Sequence, residues 1–188
     1  MKKLLLIFLL LTGCASKTTI HVSAVYFVHG QGVLSSQDLQ AHPEVIVVQT
    51  FDELRKHVSH KTALWIDKSA TPFNSEQQKW ISESPQAYYP IVFVGTSDTV
   101  HAFRDLLGIC CFMGPAGIYP GYDAPGFSVI QSEKPKEPNT PAIIFLEGYN
   151  QKPTAQSILE VTNALLEGKL KATPTVSFIA PATPTLGP

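Results

Sequence analysis

Short apolar runs alternate with amphipathic segments from residue 24 onward. Four of these runs are nearly continuous and rich in β-branched or aromatic residues: Ala24–Val28, Val45–Val48, Ala63–Ile66 and Ile91–Val94. A continuous apolar run of this length is typical of a strand that is buried on both faces. The pattern therefore predicts four strands in the interior of a sheet.

Helix-capping residues stand before the amphipathic segments. Each is followed by apolar residues at helical spacing, and the four predicted caps are Thr50, Asn74, Asp98 and Thr154. A repeated strand–helix–strand order predicts right-handed crossovers and a largely parallel sheet.

The C-terminal part of the chain follows a different pattern. The strand-like segments Phe127–Gln131 and Ala142–Leu146 are separated by a short polar segment, which is too short to hold a crossover helix. We therefore predict an antiparallel pair here. Together the elements predict a three-layer α/β domain over residues 23–171, Rossmann-like or flavodoxin-like, with a mostly parallel sheet and this antiparallel pair. Residues 172–188 are rich in proline and threonine and predict an extended, mobile tail.

The first fourteen residues have the features of an export signal. Two lysines precede the apolar run Leu4–Leu11, and a Thr-Gly-Cys sequence follows it. A run of this length is too short for a membrane-spanning helix, which needs roughly 20 residues. We interpret residues 1–13 as a signal peptide.

The sequence Leu11-Thr12-Gly13-Cys14 resembles the lipobox of bacterial lipoproteins. The resemblance implies cleavage before Cys14, lipidation of its thiol and attachment of the mature chain to a membrane of the cell envelope, outside the cytoplasm. Residues 14–22 would then form a lipidated tether. The alternative is an ordinary secreted protein with an incidental cysteine at its cleavage site.

Composition excludes several classes of protein and site. A formal net charge of −1 argues against a nucleic-acid binder, and three cysteines are too few for a disulfide scaffold or a cysteine-only zinc site. We interpret Cys110 and Cys111 as buried thiols, with a strained vicinal disulfide as the alternative. His57 and His60 share a helical spacing but supply only two ligands. The sequence thus predicts no metal and no cofactor.

One short motif suggests hydrolysis. The turn His29-Gly30-Gln31-Gly32 resembles the oxyanion loop of α/β-hydrolases, but the Gly-x-Ser-x-Gly nucleophile elbow of that family is missing. The nearest candidate nucleophile is Ser97, which follows a predicted strand and lacks the second glycine.

Polar residues follow several predicted strands. In an open α/β sheet, ligands bind beyond the carboxyl ends of the strands. The residues predicted at those ends form a candidate site: His29, Asp67, Asp98 and Glu147. Three carboxylates at one edge could bind a cation or act as an acid–base pair, whereas a turn or cap role for Asp67 is the simpler alternative.

Two functions remain open from the sequence. The first is a non-catalytic domain that binds a small ligand or an envelope protein, and the second is a surface-anchored hydrolase that uses Ser97 or Asp67 with His29 or His101. Segments 65–68, 89–92 and 148–154 are similar to those of uncharacterised bacterial exported proteins. That resemblance implies export and no particular activity.

Overall fold

Six strands form one mixed sheet at the centre of the domain. The computed structural model describes residues 23–59, 62–83, 89–108, 125–132 and 143–170. The strands in chain order are β1 (Ser23–Phe27), β2 (Val45–Val48), β3 (Thr62–Asp67), β4 (Ile91–Val94), β5 (Phe127–Ser132) and β6 (Ile143–Tyr149). The order across the sheet is β2-β1-β3-β4-β5-β6.

Strand direction follows the prediction. β1 pairs with β2 and β3 in parallel, and β3 pairs with β4 in parallel. β5 is antiparallel to both β4 and β6. The α/β class, the mostly parallel sheet and the antiparallel pair near the C-terminus are therefore confirmed.

Helices connect the strands. They are α1 (Ser36–Gln40), α2 (Phe51–His57), α3 (Ser75–Glu83) and α4 (Ala155–Leu166), together with a 3-10 turn at Lys68–Ala70 and a π-helix at His101–Leu106. The sequence pattern predicts all of these except α1 and the 3-10 turn.

The predicted caps are confirmed. Thr50 and Thr154 each accept a hydrogen bond from a backbone N–H of the first turn, and each takes part in a reciprocal capping box. Asn74 accepts from the N–H of Gln77 at 2.9 Å. Asp98 accepts from the N–H groups of Val100 and His101, both at 3.0 Å. These bonds satisfy N–H groups that a helix leaves without an internal partner.

Buried side chains divide into two clusters because successive residues of a strand point to opposite faces. The first cluster contains Tyr26 and Trp65 with Ile158 of α4, and Leu39 of α1 packs against it. The second cluster contains Leu54 of α2, Ile81 of α3 and Phe103 of the π-helix, among others. The described strands and helices therefore contribute to two separate apolar clusters.

The prediction for Val45–Val48 is wrong in one respect. Val45 and Val48 are buried, but Ile46 and Val47 are 37% and 43% exposed. β2 lies at one end of the described strand order, so no further strand shields its middle residues. A continuous apolar run does not distinguish an edge strand from an inner one.

Some predictions lie outside the described residues. They concern the signal peptide, Cys14 and the tether, Cys110 and Cys111, and the tail at 172–188. Within the described ranges, no helix has the length and apolar character needed to span a bilayer.

Candidate functional site

The carboxyl ends of β1, β3 and β4 meet at one edge of the sheet, here called the rim. The register aligns Asp67, the last residue of β3, with Val94, the last residue of β4. Residues 29–34, here called the rim loop, follow β1 and lead towards α1. The candidate residues His29, Asp67 and Asp98 therefore come from neighbouring parts of the rim.

Asp67 is fully buried, and its carboxylate is enclosed by donors from this chain. Oδ2 accepts hydrogen bonds from the hydroxyl of Tyr26 and from the N–H of Val33, the latter at 2.8 Å. Oδ1 accepts from the N–H of Ser69 at 2.9 Å, and with this bond Asp67 caps the 3-10 turn. Buried charged groups are tolerated when they are hydrogen-bonded in this way. Asp67 thus joins three segments of the chain.

The rim loop is held against the sheet by these contacts. Besides the bond from Val33, the N–H of Leu34 approaches the Tyr26 hydroxyl at 3.4 Å, and the N–H of His29 donates to Ser69 Oγ at 3.2 Å. Gly32 permits the close approach, because a Cβ at that position would lie 2.5 Å from the Tyr26 hydroxyl. The loop is consequently held by hydrogen bonds at both of its ends, an exposed one at His29 and more buried ones at Val33 and Leu34.

Tyr26 keeps its proton through the physiological range. Burial raises the pKa of its phenol above the ordinary value of 10.0, and the hydrogen bond and negative charge of Asp67 raise it further. The phenol therefore remains a donor to Asp67. Because the pKa is higher in the folded protein, this group stabilises the fold fully below pH 10, and that contribution declines as the pH rises above it.

Asp98 has a separate structural role. Its Oδ1 accepts from the N–H groups of Val100 and His101, where the chain enters the π-helix, and its own N–H donates to Thr96 Oγ1 at 3.1 Å. The preceding residue, Ser97, donates from its hydroxyl to Asn150 Oδ1 at 2.5 Å. Gly148 lies so close that a Cβ there would be 1.9 Å from the Ser97 carbonyl oxygen. The turn after β4 therefore packs against the end of β6.

Glu147 lies apart from Asp67. It is exposed within β6, opposite Val129 of β5, and accepts a hydrogen bond from the Tyr149 hydroxyl at 3.0 Å. β6 is three strands from β3, and a spacing of about 4.8 Å per strand separates them by roughly 14 Å. Burial, with the Glu147 contact, raises the pKa of Tyr149.

The four candidate residues do not form one cluster. Ser69 connects His29 with Asp67, since it accepts from the first and donates to the second. Asp98 and Glu147 form their hydrogen bonds with other groups. These contacts therefore do not support a cation shared by the carboxylates, nor an acid–base pair. Over the five described ranges, no group of three His, Cys, Asp or Glu side chains is placed to hold a metal ion.

Three of the described histidines contact groups other than Ser97. The His101 ring lies 3.5 Å from Asp105, and the His42 ring lies 3.2 Å from Glu44. The His29 ring packs edge-on against Phe27. Of the helical pair considered for a metal, His57 is exposed and His60 lies outside the described residues. The Ser–His geometry that would favour hydrolysis is not formed by these groups.

Sequence reasoning missed the partners of Asp67. Tyr26 and Asp67 are 41 residues apart, and the Val33 contact is made by a backbone N–H, which no residue type signals. One signal was available, because Tyr26 supplies a hydroxyl in an otherwise apolar strand and a buried tyrosine hydroxyl usually has a partner. The contact of Asp38 was also missed: its carboxylate accepts from the N–H of Ala155 at 2.7 Å and ties α1 to the start of α4.

Comparison with known proteins adds no relative. No family model, curated protein or solved structure matches the chain.

Proposed function

We propose that this is a lipid-anchored protein of the cell envelope whose α/β domain binds a small ligand or a partner protein, without catalysis, at the rim. The N-terminal lipobox pattern supports the anchor, which would be attached through Cys14. Two or three acyl chains, at about 0.8 kcal/mol per buried methylene, are enough to hold a domain on a membrane.

We further propose a three-layer, flavodoxin-like arrangement. The described strand order begins 2-1-3-4-5, which is the flavodoxin-like order, although β5 runs antiparallel to its neighbours. Apolar residues of α1 and α4 belong to the first cluster, and those of α2, α3 and the π-helix belong to the second. This distribution supports one helical layer on each side of the sheet.

The binding proposal rests on the rim loop being held in place by hydrogen bonds. β1 and β3 are the strands between which this order reverses, and ligands of open α/β sheets bind at such a switch point. The rim loop lies there, held by the buried contacts of Asp67. A surface that is ordered before binding loses less conformational entropy when a ligand arrives.

The exposed part of the rim loop is polar. His29, Gly30 and Gln31 are exposed, and Lys68 is exposed at the neighbouring end of β3. The peptide groups and side chains of this segment can donate and accept hydrogen bonds, which suits a polar ligand or a polar protein surface. A hydrolase at the same rim has less support, because Ser97 donates to Asn150 and Asp67 is enclosed by three donors.

The anchor depends on the sulfur of Cys14. In the intact chain expressed in a bacterial host, Cys14→Ser should prevent acylation and leave the protein in the aqueous phase or as an uncleaved precursor. Wild type should partition into detergent and carry acyl mass on its N-terminal residue. Mass spectrometry of the mature N-terminus together with phase partitioning measures both. Aqueous wild-type protein without acyl mass would contradict the anchor.

Binding at the rim loop is tested by placing a photo-crosslinking benzophenone side chain at Gln31. Gln156 is the matched control, since it is also an exposed glutamine but lies on α4. After irradiation of intact cells of the native host, we expect an adduct at position 31 and none at position 156. A gel shift identifies a protein partner and intact mass spectrometry a small ligand. No adduct at position 31, or equal adducts at both positions, would refute the proposal.

A further inference from the structure

The first described strand begins close to the proposed anchor. β1 starts at Ser23, so the nine residues of the tether, 14–22, separate it from the acylated end of the mature chain. An extended chain covers at most about 3.6 Å per residue, which limits the reach of this tether to about 32 Å. The start of β1 therefore stays within that distance of the lipid headgroups.

The tether enters the domain through one particular edge of the sheet. β1, β2, β3 and β4 are parallel, so their first residues share an edge, here called the amino edge. β1 lies between β2 and β3 in the sheet. The tether therefore joins the amino edge at an inner strand, and the rim lies at the opposite ends of the same strands.

The length of the strands separates the rim from the amino edge. β3 has six residues, and at about 3.3 Å per residue the rim lies roughly 20 Å from the amino edge. For the rim to face the bilayer, the tether would have to pass around β2 and then run along the sheet for that whole length. This path uses most of the reach of the tether, and a chain stretched to its limit loses its conformational freedom.

The charged side chains of the amino edge suit a membrane surface. α2 leads from the end of β2 back to the start of β3, so its last turn lies at this edge. That turn carries Lys56 and His57, which are both exposed. Glu44, which precedes β2 at the same edge, is half-buried and contacts the His42 ring at 3.2 Å. Cationic side chains close to a bilayer are attracted to anionic headgroups.

We propose that the short tether holds the amino edge towards the membrane and turns the rim towards the aqueous phase. This orientation depends on the proposed anchor at Cys14, and it narrows the proposed binding function. A rim that faces away from the bilayer receives a ligand or protein from the aqueous side and does not reach the lipids of its own membrane.

Energy transfer to a membrane dye tests the orientation. A donor dye is attached through an azide-bearing residue at position 41, before β2 on the amino edge, or at position 31 on the rim, since Ala41 and Gln31 are both exposed. The lipidated chain is placed on vesicles of phosphatidylethanolamine and phosphatidylglycerol that carry acceptor dye on their headgroups. Transfer from position 41 should exceed transfer from position 31 at least about twofold, because strands roughly 20 Å long separate the two positions.

A longer tether is the matched control. Inserting about twenty Gly and Ser residues after Ser16 adds a flexible linker and leaves the domain unchanged, so the difference between the two positions should disappear. In the chain with its own tether, equal transfer or higher transfer from position 31 would overturn the inference while the anchor stands. A difference that survives the longer tether would overturn it too, because another contact then orients the domain. A chain that does not float with the vesicles would contradict the anchor, and the orientation with it.

Discussion

Replacing Asp67 by alanine is expected to lower the free energy of unfolding by about 3–5 kcal/mol. The carboxylate is fully buried and is the acceptor for Tyr26, Val33 and Ser69. Its removal leaves three buried or half-buried donors without that acceptor, and each such donor costs about 1–3 kcal/mol when it stays dry. Urea unfolding of the intact chain, followed by circular dichroism, measures the loss.

Asp52→Ala is the matched control for this substitution. Asp52 is an exposed carboxylate in the first turn of α2, where its charge contributes less than about 1 kcal/mol. The loss for Asp67 should exceed that for Asp52 severalfold. If the two variants lose equal stability, Asp67 acts as an ordinary turn residue and the rim loop is not held by it.

Gly148→Ala is expected to cost about 3 kcal/mol, because its methyl group would collide with backbone. The Cβ would lie 1.9 Å from the carbonyl oxygen of Ser97, which cannot move aside as a flexible side chain can. The turn after β4 would have to shift and lose the Ser97–Asn150 bond. The unfolding free energy of the variant measures the cost.

Gly168→Ala controls for the general effect of adding a methyl group to a glycine. Gly168 has a φ of 66° and open space around its Cβ position, so alanine there should cost about 1 kcal/mol through backbone strain alone. A loss at position 148 no larger than that at position 168 would show that the turn after β4 does not pack tightly on β6.

Local patterns predict most of the elements and little of their long-range contacts. Thr50 and Thr154 cap helices as predicted, because a cap bonds to residues two or three positions away. The strands β1 to β4 are predicted within a residue at each end, since their apolar runs are bounded by polar residues or, for β4, by proline and glycine. The sequence does not predict α1, because this five-residue helix has one apolar residue, Leu39, and so shows no helical period.

The candidate site is predicted only in part. Sequence reasoning places Asp67 at the end of a core strand, and the structure agrees. The cap role considered for Asp67 is confirmed, because it accepts from the N–H of Ser69. The binding hypothesis needs an accessible acid, whereas Tyr26 and Val33 enclose the carboxylate, and neither contact is local in the chain. Glu147 is assigned to the rim, but β6 extends to Tyr149, so Glu147 stands within the strand.

We infer that Asp67 holds the rim loop in place as a preformed surface. Amide hydrogen exchange at Val33 tests it most directly, because this N–H donates to Asp67 Oδ2. In the wild-type protein, the Val33 amide should exchange at least about 100-fold more slowly than an unstructured amide. The amides of Gly30 and Gln31, in the exposed part of the loop, should exchange quickly. Exchange at Val33 as fast as at Gly30 would contradict the account.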